Sequence, residues 1–74
     1  MARLPGEVDG RRFLRAMTRL GWAVESQRGI HRKLVNVGTD RFIVVAFHDV
    51  IRRNSIRHVL RLAGITEDEF IEAL

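Results

Sequence analysis

The fold is decided by residues 22–47, WAVESQRGIHRKLVNVGTDRFIVVAF. Within this stretch, runs rich in β-branched and aromatic residues alternate with short polar or glycine-containing links. The pattern predicts three strands: Trp22–Gln27, His31–Val37 and Arg41–Phe47. The tight connection Arg28–Ile30 and the hairpin turn Gly38–Asp40 are too short for a crossover between parallel strands. We therefore expect an antiparallel meander.

A helical pattern precedes the strands. Asp9 can cap a first helix that runs to about Leu20 and closes at Gly21. Four apolar residues recur there at helical spacing: Phe13, Leu14, Met17 and Leu20. This spacing predicts one buried stripe, with the polar residues of the helix facing solvent.

A second helical pattern follows the strands, after a polar connection at His48–Arg53. Asn54 or Ser55 can cap this helix, and Gly64 ends it. Its apolar stripe comprises Ile56, Val59, Leu60 and Ala63. The segment Thr66–Glu69 then opens a last short helical turn, with Thr66 as N-cap and Glu69 completing a capping box.

The predicted order is α-β-β-β-α plus a terminal turn, an α+β fold with helices on one face of a three-stranded antiparallel sheet. We expect one domain over residues 1–74, with its core at about 9–70. The strand segment Phe42–Phe47 is apolar at every position, so both of its faces need cover. Either a second copy or partner protein covers the face without helices, or the strand is simply central in a twisted sheet.

Size and composition limit the classes of protein. A domain of 74 residues buries little surface and often depends on a partner, so a homodimer or hetero-oligomer is expected. The absence of Cys excludes disulfides and thiolate zinc sites. No apolar run reaches the roughly 20 residues of a membrane span, and residues 1–6 lack the apolar core of a signal peptide. A cytoplasmic location is expected.

The charge is strongly basic before the acidic tail. The residues before Thr66 include 13 basic and five acidic ones, a formal charge of +8, and 12 of the 13 are Arg. Arg suits phosphate because its planar fork pairs with two oxygens. Two groups are spaced or clustered for RNA contact: Arg11, Arg15 and Arg19 in the first helix, and Arg52, Arg53 and Arg57 at the start of the second. A solvated face, or a genome that favours Arg codons, explains the same pattern.

Three histidines are the candidates for acid–base chemistry, because imidazole changes charge near neutral pH. His31 starts a predicted strand directly after the Gly29–Ile30 pair and is the candidate general base, with an ordinary strand-edge residue as the alternative. His48 closes the third strand, as a second acid, an RNA contact or simply a strand end. His58 is expected on a helix surface. Since the histidines form no close ligand pair and no carboxylate cluster joins them, no metal or cofactor is expected.

At four places the chain resembles the HicA toxins of toxin–antitoxin systems. The similar segments are Leu20–Trp22, Arg28–His31, Ile43–His48 and Ile56–Ile65, in the same order and at similar spacing. The resemblance implies a double-stranded-RNA-binding-domain fold and a type II toxin that acts as an mRNA interferase. It also implies inhibition by a HicB-type antitoxin bound over the sheet and catalytic region.

The same resemblance makes His31 the catalytic histidine. The family commonly has Ser before this histidine, where the present chain has Ile30. It also often has Gly-Thr where this chain has Asn54-Ser55, and a proline near Ala46-Phe47. The difference at Ile30 concerns phosphate binding, and the difference at Asn54-Ser55 concerns helix capping.

RNA supplies its own nucleophile, so a nuclease of this kind needs a base and no metal. Our hypothesis is that His31 deprotonates the 2′-OH, while Arg28, Arg32 and Lys33 neutralise charge on the phosphate. In a strand, Lys33 shares a face with His31 and Arg32 points to the other. The alternatives are a non-catalytic double-stranded-RNA-binding module on the same fold, and a structural subunit whose sheet pairs with another protein.

Overall fold

The computed structural model describes residues 3–74 and has eight elements of secondary structure. In chain order they are β1 (Glu7–Asp9), α1 (Gly10–Arg19), β2 (Trp22–Arg28), β3 (His31–Asn36), β4 (Phe42–Ala46), β5 (Val50–Arg52), α2 (Arg53–Ala63) and α3 (Glu67–Ala73). The α+β class and the central α-β-β-β-α order are as predicted. The terminal turn is a helix of seven residues.

Strands β2, β3 and β4 form the predicted antiparallel meander, in that order across the sheet. The β3–β4 ladder is regular, with Leu34 opposite Ile43. The β2–β3 ladder contains one register shift, between Val24 and Ser26. Since a bulge in an edge strand disturbs further pairing, this irregularity protects the free edge of β2.

The two faces of this sheet differ in burial. The inner face meets the helices and contributes Leu34, Ile43 and Val45 to the core. On the outer face of β4, Phe42 and Val44 are 59% and 52% exposed. The helices therefore cover one face only. Among the described residues, no helix has the length and apolar character needed to cross a membrane.

The core lies between the inner sheet face and the helices. Its largest fully buried side chains are Phe13, Phe70, Leu4, Met17, Leu34, Ile51 and Ile56. The rings of Phe13 in α1 and Phe70 in α3 lie 5.7 Å apart, centre to centre. Such a tilted aromatic pair adds stabilisation beyond burial alone, so it anchors the last helix onto the first.

Three helix boundaries confirm the sequence prediction. The Asp9 carboxylate accepts hydrogen bonds from the backbone N–H groups of Arg11 and Arg12, at 2.9 and 3.3 Å. Thr66 and Glu69 form a reciprocal capping box at the start of α3. Gly64 follows α2 with a φ of 72°, a left-handed conformation that favours glycine.

Two local predictions are wrong. The segment His48–Arg53 is not only a polar connection, because Val50–Arg52 forms β5 and pairs with β1, Val8 opposite Ile51. Both of these apolar residues are buried, which favours the pairing over a solvated loop.

The second correction concerns the start of α2. This helix begins at Arg53 and has no side-chain cap, so neither Asn54 nor Ser55 is its N-cap. The backbone N–H of Arg53 instead donates to the carbonyl of Gly6 at 2.9 Å. Strand β5 thus runs straight into the helix, and the N-terminal segment satisfies its first free donor.

Candidate nucleic-acid interface and histidine site

A two-residue turn, Gly29-Ile30, joins β2 to β3. Gly29 has a φ of 58°, whereas Ile30 has no positive φ. This is the pattern of a type II′ hairpin turn, which matches the twist of the flanking strands and needs glycine at its first position. The turn makes Arg28 and His31 the last cross-strand pair of the β2–β3 ladder.

His31 is exposed at the first position of β3, on the outer face of the sheet. Residues opposite one another in an antiparallel pair share a face. Arg28 is opposite His31 on one side and Ala46 is opposite it on the other. A histidine and an arginine with open access to solvent are therefore side by side at the end of a defined hairpin.

Lys33 lies on the same outer face as His31, as the strand alternation predicted. Its ammonium is 3.1 Å from a carboxylate oxygen of Glu25 and 4.6 Å from the centre of the Phe42 ring. Both contacts draw Lys33 along β3, away from the turn. Arg28 is thus the nearer cation to His31 by ladder position.

Arg32 lies on the opposite face, also as predicted. Its guanidinium carbon is 4.7 Å from the centre of the Phe47 ring, and one nitrogen donates to the Gly29 carbonyl at 3.0 Å. The Phe47 N–H donates to the Ile30 carbonyl at 2.6 Å. Arg32 and Phe47 together fix the turn that carries His31.

The start of α1 meets the end of β4 at this same end of the molecule. The Gly10 N–H donates to the Asp49 carbonyl at 2.7 Å. A Cβ at Gly10 would collide with the His48 carbonyl oxygen and lie 2.8 Å from Cζ of Phe47. Glycine therefore permits a close approach that sets the position of Phe47 and His48.

An open groove with a volume of about 580 Å³ lies between β4, β5 and the start of α2. It brings together two histidines that are ten positions apart in sequence, His48 and His58. Arg52, Asn54 and Ser55 also line it. Sequence reasoning placed His58 on a helix surface and did not foresee this grouping, because β5 had been missed. His31 is not among the lining residues.

The arginines predicted to contact RNA divide into two groups. Arg19 donates to the Ala73 carbonyl at 2.6 Å, Arg53 to the Leu4 carbonyl at 3.1 Å, and Arg57 pairs with Glu67 at 3.2 Å. These three hold parts of the fold together. Arg32 belongs with them through its bond to the Gly29 carbonyl. The remaining four are exposed and make no side-chain hydrogen bond or ion pair within residues 3–74: Arg11, Arg15, Arg28 and Arg52.

One arginine with a structural contact had not been singled out from the sequence. Arg41 donates to the Leu62 carbonyl at 3.0 Å and ties the start of β4 to the end of α2. No three His, Asp or Glu side chains between residues 3 and 74 gather closely enough to hold a metal ion.

A family model described as the HicA toxin of bacterial toxin-antitoxin matches residues 10–65. No curated protein and no solved structure matches the chain, so the expected likeness to double-stranded-RNA-binding domains stays a prediction. The family match runs from the first residue of α1 past the end of α2, which is more than half of the sequence. The chain therefore belongs to the HicA family, the toxins of bacterial toxin-antitoxin pairs.

Proposed function

We propose that this chain is a type II toxin that cuts mRNA in the cytoplasm as a metal-independent endoribonuclease, with His31 as its general base. The observation that carries the proposal is the pairing of exposed His31 with exposed Arg28 at a rigid turn. A base and a phosphate-binding cation must act on adjacent atoms of one nucleotide. Preorganisation by the hairpin lowers the cost of holding them in that arrangement.

The proposed reaction uses the RNA's own 2′-OH. A neutral ring nitrogen of His31 takes its proton, and the 2′-oxygen attacks the adjacent phosphorus. The bond from phosphorus to the 5′-oxygen breaks, which leaves a 2′,3′-cyclic phosphate on one product and a 5′-OH on the other. The leaving oxygen needs a proton, and His48, beyond the end of β4, is the candidate donor. A positioned base supplies about 10²–10⁴-fold of such an acceleration.

Arg28 is the residue that we assign to the non-bridging phosphate oxygens. Charge-assisted, forked hydrogen bonds from Arg stabilise a developing phosphorane more than a single ammonium does. Lys33 is engaged by Glu25, and Arg32 lies on the other face of the strand. Lys33 therefore contributes to binding along β3, and Arg32 acts by supporting the turn.

Exposed arginines outside the hairpin extend the proposed RNA contact. Arg11 lies in the first turn of α1, in a surface hollow shared with Phe47, and Arg52 ends β5, in the groove that His48 lines. Because contacts within the protein hold Arg19, Arg53 and Arg57, we expect them to contribute less to phosphate binding. Replacing Arg11 or Arg52 with Ala should lower the salt dependence of RNA affinity, since each lost phosphate contact reduces the slope against log salt by about 1. Equal slopes for the wild type and a variant would show that the replaced arginine does not contact RNA.

A HicB-type antitoxin is the proposed protein partner, in keeping with a family defined by toxin-antitoxin pairs. The outer sheet face offers Phe42 and Val44, both more than half exposed, on the same side as His31. A partner seated there buries apolar surface and blocks the base in one step. The protein encoded next to the toxin gene should co-purify with the toxin and shield this face from solvent. Val44→Glu should weaken the complex without unfolding the toxin.

The product ends test the mechanism. RNA incubated with the protein in EDTA should yield 2′,3′-cyclic phosphate and 5′-OH ends. A DNA strand of the same sequence, which lacks the 2′-OH, should stay intact. Expression without antitoxin should arrest growth, and His31→Ala should not. Tight RNA binding without cleavage would favour the second candidate, a non-catalytic double-stranded-RNA-binding module. The observation behind that candidate is Ile30, which puts no hydroxyl beside His31.

A further inference from the structure

Phe42 differs from the other three phenylalanines in its surroundings. Phe13 and Phe70 are buried in the core, and Phe47 is half-buried. Phe42 is 59% exposed on the outer sheet face, on the same side as His31. Phe42 and Val44, which is 52% exposed, are neighbours on this face of β4. An exposed apolar patch of this kind marks a contact site.

We propose that Phe42 stacks on a base of single-stranded RNA while the scissile phosphate lies at His31. The proposal rests on the ribonuclease function above and names the form of its substrate. Phe42 would be a positioning residue, which touches a base but none of the reacting atoms. Aromatic side chains on open sheet faces bind single strands in this way because every base has a flat π surface.

The register of the β3–β4 ladder gives the spacing. Phe42 is opposite Val35 and Ala46 is opposite His31. Four residues along a strand span about 13 Å, which exceeds a base step of about 3.4 Å in a stacked helix. The stacked base therefore belongs to a nucleotide near the cleaved bond and not to the one whose 2′-OH attacks.

The charges along this path suit a nucleic-acid backbone. Arg28 and Lys33 lie on the same face as His31, and Lys33 is 4.6 Å from the centre of the Phe42 ring. A phosphate next to the stacked base could replace Glu25 as the partner of the Lys33 ammonium. Glu25 is an acidic residue close to this path, and its charge is already paired with Lys33.

The substrate class follows from what the ring must contact. In a duplex the faces of the bases are stacked on their neighbours, and proteins meet mainly phosphates and 2′-OH groups. A ring on an open sheet has access to a base only where the strand is unpaired. We therefore expect cleavage of unpaired stretches of mRNA in preference to helical ones.

An oligonucleotide with one ribonucleotide in a 2′-deoxy strand fixes the cleavage point, since only that residue has a 2′-OH. Abasic nucleotides are then placed singly at successive positions on either side. In the wild type, one abasic position should lower kcat/KM by about 10-fold.

Phe42→Ala should lower cleavage of the complete strand by a similar factor and lose its sensitivity to that abasic position. Phe42→Trp should restore both, and Leu62→Ala, at an exposed position on α2, should change neither.

The two proposals fail in different ways. Cleavage that Phe42→Ala leaves unchanged, with the same abasic profile, would overturn stacking and leave the nuclease assignment intact. If the wild type cleaves nothing, the nuclease assignment is wrong. Fluorescence anisotropy with a labelled single strand and the matching hairpin then tests stacking alone. Weaker binding of the single strand by Phe42→Ala supports it, whereas equal binding, or preference for the hairpin, contradicts it.

Discussion

His31 and Arg28 face each other across the last pair of the β2–β3 ladder, held there by a two-residue turn. The pair combines a group that can exchange a proton near neutral pH with a group that stays cationic. Their arrangement depends on the turn and on the contacts behind it. Each of these dependencies can be tested by a substitution.

The turn requires a left-handed residue at its first position. Gly29→Ala places a Cβ in open space, so its only cost is backbone strain at a φ of 58°. We expect a loss of about 1 kcal/mol in the free energy of unfolding, measured by urea denaturation. Gly6→Ala is the matched control, because Gly6 also has open space but no positive φ. Equal stabilities of the two variants would contradict the assigned turn.

Gly10 supports the site by close packing instead of by its φ. The added methyl group of Gly10→Ala would push against Phe47 and the His48 carbonyl. Overpacking of this kind costs about 1–3 kcal/mol, and it displaces the residues that fix the His31 turn. The urea midpoint should fall relative to Gly6→Ala, and any RNA cleavage should fall with it. A variant as stable and active as wild type would show that this approach is not rigid.

We expect the residue before His31 to limit the proposed activity. Ile30 is 49% exposed, so Ile30→Ser removes little buried surface. The serine keeps the carbonyl that accepts from Phe47 and adds a hydroxyl donor near the phosphate. We expect at least about 10-fold faster RNA cleavage, with an unchanged urea midpoint, measured under single-turnover conditions. No gain would show that the hydroxyl has no role in this chain.

The cap of α3 links stability to pH. The backbone N–H of Thr66, and after it the Thr66 hydroxyl, lower the pKa of Glu69 below its ordinary value of 4.5. A carboxyl whose pKa is lower in the folded state stabilises the fold above its unfolded pKa, and the effect is lost as pH falls through the folded value. Glu69→Gln keeps a capping side chain without the charge.

The difference between wild type and Glu69→Gln in urea midpoint should therefore be present at neutral pH and shrink toward pH 3. Because both proteins carry every other carboxyl, the difference isolates this one group. A difference that stays constant over that range would mean that the capping box does not depend on the ionised form.

Much of the fold follows from local sequence signals. Asp9 and Thr66 cap helices because their side chains reach N–H groups two or three residues away, and Gly64 ends a helix because it accepts a left-handed φ. The three-strand meander follows from short links. Such signals act over a few residues, and the sequence displays them directly.

The features that the sequence did not predict depend on distant contacts. Strands β1 and β5 have three residues each, which is too short for a periodic pattern to be recognised in the sequence. They also pair across more than 40 positions. The α2 start was misplaced for the same reason, since Gly6 satisfies Arg53 from the far strand segment. Arginine spacing predicted helix faces, but it carried no information about which guanidinium reaches a backbone carbonyl.

If His31 makes this toxin a ribonuclease, the single-turnover cleavage rate of one RNA must depend on its imidazole. Wild type, His31→Ala and the exposed-histidine control His58→Ala are compared at equal concentration. We expect His31→Ala to lose about 10²–10⁴-fold in rate, while His58→Ala stays near wild type. Equal rates for wild type and His31→Ala would contradict a role for His31 as the general base.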